Sequence, residues 1–291
     1  MTDTPTFAPP SPLSAPSSPA SSPPPVSPRP VPQRPSRGVR LAWLIPGAIL
    51  AVAALGWGTY NVLSLLAHSE RTTTDRFAAA DVDSLDIRNE EGSITVNTGA
   101  SDTIVVTAHI HDGWQATDVS SRIVDGRLVV RGGCPAFGSP WCNVSFTVDL
   151  PADRPMTING SNGSVRVRGA AGIIDVDTDN GSIDLDDVSG TIRASTDNGR
   201  ITGRRLTSAV ADATTRNGRI ELSFVDPPQS VSARTNNGRI ELIVPDDEVL
   251  YRVDLRTQNG STDNLVRTDP SSDRVIDLTT DNGAITVRPP G

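Results

Sequence analysis

The chain has 291 residues, with 24 Pro, 24 Gly, two Cys, three His and 4% aromatics, and all 26 of its basic residues are Arg. That length fits one sizeable domain plus appendages, and the scarcity of aromatics beside many Gly, Asn, Asp and Thr argues against a helical bundle. Three His and two Cys leave little for a zinc site or a Cys/His nucleophile pair, and 34 acids against 26 bases disfavour nucleic acid as a partner.

Residues 1–40 hold 13 of the 24 prolines and eight serines. Proline lacks the backbone N–H and fixes φ, and so few apolar groups cannot offset the entropy of ordering. The segment reads as a disordered Pro/Ser-rich tail: a soluble spacer first, a docking or phosphorylation region second.

Residues 41–67 carry no formal charge. About 20 apolar residues span a bilayer core, and Trp43, Trp57 and Tyr60 suit its interfaces. Pro46 and Gly47 are expected in the first turns, where a helix tolerates Pro best. The apolar stretch and the segment before it are too long for a cleaved signal peptide, and no small-x-small site follows. Arg29, Arg34, Arg37 and Arg40 all precede the span, so the positive-inside rule keeps that side in the cytoplasm. The expectation is a single-pass protein of the cell membrane, with a linker over 68–76 and an extracellular C-terminal domain. The tail then carries a net +3 and the outer part −11, which sum to the −8 of the chain.

Residues 77–150 read as a β-rich cap, with strands over 82–88, 93–97, 103–110, 127–131 and 143–150. Glu91-Gly92-Ser93-Ile94 looks like a weak copy of the repeat that follows, with Glu in place of Asn. Cys134 and Cys142 flank a Gly/Pro loop. An even pair in an external domain reads as a disulfide, with two free thiols the alternative.

Residues 151–291 carry the strongest signal. Asn-Gly occurs at Asn162-Gly163, Asn180-Gly181, Asn198-Gly199, Asn217-Gly218, Asn237-Gly238, Asn259-Gly260 and Asn282-Gly283, spaced by 18, 18, 19, 20, 22 and 23. Each period should be one supersecondary unit. Four and six residues before each Asn stand aliphatic residues. Two before stand Gly160, then Thr178, Thr196, Thr215, Thr235, Thr257 and Thr280. Three after stand Val165, Ile183, Ile201, Ile220, Ile240, Thr262 and Ile285. Period-two alternation on both sides of a turn makes each repeat strand, Asn-Gly turn, strand. Asn-Gly suits a turn that needs φ > 0.

A meander would need about 14 strands in one sheet, beyond the usual limit of ~10. An all-β solenoid, one coil per repeat with successive coils stacked, explains why Thr falls on Thr and Ile on Ile, and the stacked Thr could bond along their column. Pro289-Pro290 then ends pairing after the last coil.

The order of β-rich lead-in, Asp149-Leu150-Pro151-Ala152 and repeated Asn-Gly-(Ser/Arg)-Ile blocks resembles the bacterial putative-adhesin family of β-strand-repeat domains of unknown function. The resemblance covers roughly 77–288. It implies surface binding and brings no catalytic residues with it.

For chemistry, Asp175, Asp177, Asp184, Asp186 and Asp187 crowd two neighbouring coils. They read first as solvated acids partly matched by Arg166, Arg168 and Arg193, with Ca²⁺ binding through oxygen ligands as the cofactor alternative and a catalytic pair last. Arg200, Arg219 and Arg239 share one slot, with Glu221 and Glu241 two residues on: a ladder of ion pairs, or a stripe for an acidic glycan. His109 and His111 share a strand face beside Asp112, without a third metal ligand in view. No phosphate loop, nucleophile elbow or His-Glu-x-x-His occurs. The sequence therefore points to a non-enzymatic, membrane-anchored adhesin or envelope module with a glycan or protein ligand. A signalling protein with a sensing outer domain and a reporting tail is the runner-up, and a carbohydrate-active enzyme comes third.

Overall fold

The structure is a computed structural model that describes residues 37–66, 69–112, 117–134, 142–245 and 249–291. The proline-rich segment up to residue 36 lies outside the described residues. A helix covers Arg37–Leu66. It begins four residues before the expected 41, directly after the run of prolines that ends at Pro35. Pro46 consequently sits in the helix interior, not in the first turns, and leaves one main-chain carbonyl without its donor. Among the described residues no helix is long and apolar enough to cross a membrane.

Among the described residues from Ser69 onward the regular structure is β-strand, apart from one short 3-10 turn at Ala79–Asp81, built around one apolar core. An eleven-stranded sheet and a ten-stranded sheet face each other across it. Each coil contributes its strand before the Asn-Gly turn to the ten-stranded sheet and its strand after the turn to the eleven-stranded one. Pairing between coils is parallel and in the register read from the sequence: Ile174 lies beside Met156 and Ile192, Thr178 beside Thr196, Asn180 beside Asn162 and Asn198. The same columns continue through Thr215, Thr235 and Thr280 and, beyond the turn, through Ile183, Ile201, Ile220, Ile240 and Ile285. These column residues are buried, Thr280 and Ile220 completely. Each fully buried aliphatic contributes roughly 1.5–3 kcal/mol, and no coil can bury its face without neighbours.

The weak copy at Glu91 is a full coil. Ser84–Glu91 pairs with Met156–Asn162, and Ile94–Gly99 pairs with Val165–Arg168, with Glu91 opposite Asn162. Beyond it Arg127–Gly133 and Asn143–Pro151 add one more parallel layer, and the stack then gives way to antiparallel strands. Asp118–Val124 closes one sheet on Arg127–Gly133. In the other sheet Thr103–Asp112 lies between Asn143–Pro151 and Ser69–Ala78. Ser69–Ala78 replaces the expected linker over 68–76. Its Thr-rich, charge-bearing edge lacks the apolar alternation that marks a strand, and pairing with Thr103–Asp112 fixes it instead.

The turns work differently from the sequence reading. None of the seven turn Asn has φ > 0, and among their Gly only Gly163 and Gly283 do. What demands glycine is contact between coils. A Cβ on Gly181, Gly199, Gly218, Gly238 or Gly260 would collide with the carbonyl oxygen of the turn glycine stacked next to it. The Asn side chains instead form one continuous ladder. Asn259 Nδ2 donates to Asn282 Oδ1, Asn282 to Asn237, Asn237 to Asn217, Asn217 to Asn198, Asn198 to Asn180 and Asn180 to Asn162, all at 2.9–3.2 Å. Asn162 donates at 2.8 Å to Glu91, whose carboxylate ends the ladder as an acceptor. The Thr hydroxyls do not bond one another either. Thr196, Thr215, Thr235, Thr257 and Thr280 each donate to a turn-glycine carbonyl in the adjacent coil at 3.1–3.3 Å.

One departure concerns coil order. The coil containing Asn282 lies between those of Asn237 and Asn259, so the Asn259 coil ends the stack. The reason is composition. The Asn259 coil puts Thr262 and Asn264 where its neighbours put Ile, Val or Leu, and both are exposed. The later coil carries Ile276, Leu278, Ile285 and Val287, all fully buried. Pro289 thus ends an interior strand, and the outer edge is blunted by Arg252, Asp254 and Arg256 instead. On the way out the buried Tyr251 donates its hydroxyl to the Pro245 carbonyl. On the return Arg274 donates to the carbonyls of Pro227 and Pro228, at 2.7 and 2.9 Å. In the same return loop the side-chain and main-chain hydrogen bonds from Ser271 hold the Asp269 carboxyl below the usual carboxylate range.

Candidate functional site

The outer faces of the two sheets carry the charged residues. Asp175 and Asp177 belong to Ile174–Asn180 in the ten-stranded sheet, and Asp184 and Asp186 to Ile183–Asp186 in the eleven-stranded sheet. The shared core separates the two pairs, so the acids adjacent in sequence do not form one cluster. The proposed Ca²⁺ ligands are not brought together, and among the described residues no group of three His, Cys, Asp or Glu could hold a metal ion. Alternation with period two explains this: two short strands on either side of one turn point their outward residues to opposite sides of the molecule. Arginines from neighbouring coils pair with these acids: Arg193 with Asp175 at 3.9 Å, Arg166 with Asp184 at 3.5 Å and Arg205 with Asp186 at 2.6 Å. Arg168 turns to Asn97 instead, at 3.5 Å.

Arg200, Arg219 and Arg239 stack on successive coils beside the Asn ladder, and all are exposed. Arg219 pairs with Glu221 at 2.7 Å, whereas Glu241 pairs with Arg288 at 3.0 Å. The stripe is therefore only partly an ion-pair ladder. His109 and His111 lie on one exposed face, where Thr72 meets the His109 ring at 3.2 Å and Glu70 the His111 ring at 3.5 Å. Cys134 and Cys142 form a disulfide with Cα atoms 5.8 Å apart.

Among the described residues, two depressions lie on the outer faces of the sheets. One, of about 450 Å³, lies on the eleven-stranded sheet among Arg204, Arg205, Glu221, Glu241 and Arg288. An irregularity in Ile201–Leu206 shapes it, where register with the next strand shifts between Gly203 and Leu206 and Arg205 takes φ 50°. Leu206 comes to lie against Gly203, in the space a side chain there would fill, so the bulge repairs the one gap in that column. The other depression, of about 500 Å³, lies on the ten-stranded sheet near its N-terminal edge. Its floor carries Arg88, Arg122 and Arg131, and Asn89 forms part of its wall. Neither depression was signalled by a motif. Each arises from strands far apart in sequence.

Comparison with known proteins gives a family and a set of distant structural likenesses. No curated protein matches the chain. A putative adhesin from Bacteroides fragilis is 11% identical, with a TM-score of 0.44 over 76% of this chain and 98% of that one. A putative adhesin from Parabacteroides distasonis is 11% identical, with a TM-score of 0.39 over 74% and 97%. A putative cell adhesion protein from Clostridium sporogenes is 9% identical, with a TM-score of 0.35 over 76% and 100%. The family profile described as Toastrack DUF4097 matches residues 76–288, the two-sheet stack apart from most of its edge strand Ser69–Ala78, and the chain belongs to that family.

Proposed function

We propose that the protein is a membrane-anchored binding or structural module of the cell envelope, without catalysis, whose β-domain lies outside the cell. The observation that carries the external placement is the Cys134–Cys142 disulfide, a bond that persists in oxidising compartments. The uncharged stretch 41–67, preceded by Arg29, Arg34, Arg37 and Arg40, supports an anchor with the N-terminal side inside. The two broad polar faces support binding spread over a surface rather than turnover in a cleft. The test uses the full chain with an epitope after Gly291. Antibody should label intact cells, and the purified protein in nanodiscs should bind isolated envelopes saturably. Labelling only after permeabilisation would overturn the placement, and absence of saturable binding would leave the scaffold role alone.

A further inference from the structure

Across the outer faces, several charged residues face the opposite charge on a neighbouring strand, and where acids face each other, at Glu221 and Glu241 and at Asp254 and Asp277, each has its own arginine partner. Asp175 and Asp212 flank Arg193, Arg166 faces Asp184, and Arg168 and Arg204 flank Asp186. One place sets two cations face to face. Arg88 and Arg131 face each other in register on adjacent parallel strands, the one such pair of arginines among the described strands. Strands there are ~4.8 Å apart, and like charges directly opposite destabilise a sheet. Arg88 is partly compensated by Asp86, at 3.3 Å. The side chains of Arg131 and the nearby Arg122 make no ion pair or hydrogen bond among the described residues.

These three arginines are the floor of the 500 Å³ depression, a volume suited to a small ligand. Around them the side chains are short: Ser120 flanks Arg131 and Asn159 flanks Arg88 in register. The next row toward the turns carries Glu90, Asp118 and Ser161, groups that accept hydrogen bonds from hydroxyls. Asn89, only 3% exposed, lines the depression with its backbone and turns its side chain inward, where Nδ2 donates to the carbonyls of Val144 and Gly92. Guanidinium forks match the oxygens of a carboxylate or phosphate.

We infer that this depression binds a small hydroxylated oxyanion, a sugar carrying one carboxylate or phosphate group. The Arg88–Arg131–Arg122 floor takes the anion, and the Glu90–Asp118–Ser161 rim takes its hydroxyls. The anion relieves the repulsion between the facing Arg88 and Arg131. A long polyanion is disfavoured, because the rest of the outer part carries a large net negative charge. The inference relies on the module reading above only for meeting such ligands outside the cell.

The test is calorimetry on the full chain in nanodiscs at low salt with glucuronate, glucose 6-phosphate and glucose. At least one anion should bind at least tenfold more tightly than glucose, and the preferred one tells whether the group read is a carboxylate or a phosphate. Arg131→Gln and Arg122→Gln should each weaken it at least tenfold, while a triple Gln variant at Arg200, Arg219 and Arg239 leaves it unchanged. Arg131→Gln should also raise the melting temperature of the ligand-free protein, a shift that a merely structural arginine would not give. The site is overturned if glucose binds as tightly as both anions, if neither anion binds, or if the two variants bind like the parent. Loss of small-anion binding with envelope binding intact removes this site alone.

Discussion

Asn217 both donates to Asn198 and accepts from Asn237, whereas Asn259 only donates. A net hydrogen bond is worth about 0.5–1.5 kcal/mol, so Asn217→Ala should cost about 1–2 kcal/mol and Asn259→Ala about half of that, read by chemical denaturation. Gly218 is the sharper constraint. Its would-be Cβ meets the Gly199 carbonyl, and overpacking of this kind costs typically 1–3 kcal/mol. Gly99 has nothing within 4 Å of a Cβ, so Gly99→Ala should lie within about 0.5 kcal/mol of the parent. The positions of these residues were legible from spacing alone. Their reasons were not: a repeat of Asn-Gly announces a turn in any single coil, and only stacking reveals that Asn serves the ladder and Gly the close approach.

Within a coil, each strand is held by columns on both sides. Ile220 lies between Ile201 and Ile240 with no exposure. Ile220→Asp would bury an unpaired charge and should abolish the folded β-signal in circular dichroism. An unchanged melt would mean the column is wrong. Leu206 compensates for Gly203, so Leu206→Ala should reopen that gap and cost about 2–5 kcal/mol. Strands with apolar alternation were readable to within a few residues. Ser69–Ala78 and Asp118–Val124 were not, because as edge strands they carry Thr, Ser and charge in place of a buried stripe. The swap of the last two coils was equally hidden. Stacking order follows which coil tolerates exposure at Thr262 and Asn264, and chain order does not encode that.

Over the whole molecule, the parallel stack of coils could be read from a period, and the family from the resemblance carried by the β-rich lead-in, Asp149-Leu150-Pro151-Ala152 and the Asn-Gly blocks. The depressions could not, since Arg88, Arg122 and Arg131 meet only once distant strands take their places. The disulfide closes a loop over a sequence separation of 8. By the chain-entropy model a loop of this size contributes roughly 2–3 kcal/mol, so reduction should lower the denaturation midpoint by a corresponding amount without dissolving the stack.

The exchanged coil order also sets a timetable. A nascent chain leaving its exit channel can add coils one upon another only as far as Asn237. The segment around Asn259 must then wait, because its seat is the far side of a layer not yet made. Only when residues 275–288 arrive is the slot between them filled. A chain cut short in that interval would lack an inner layer and expose two unfinished edges at once, so the arrangement acts as a built-in check that the domain has been delivered through residue 288 before it closes.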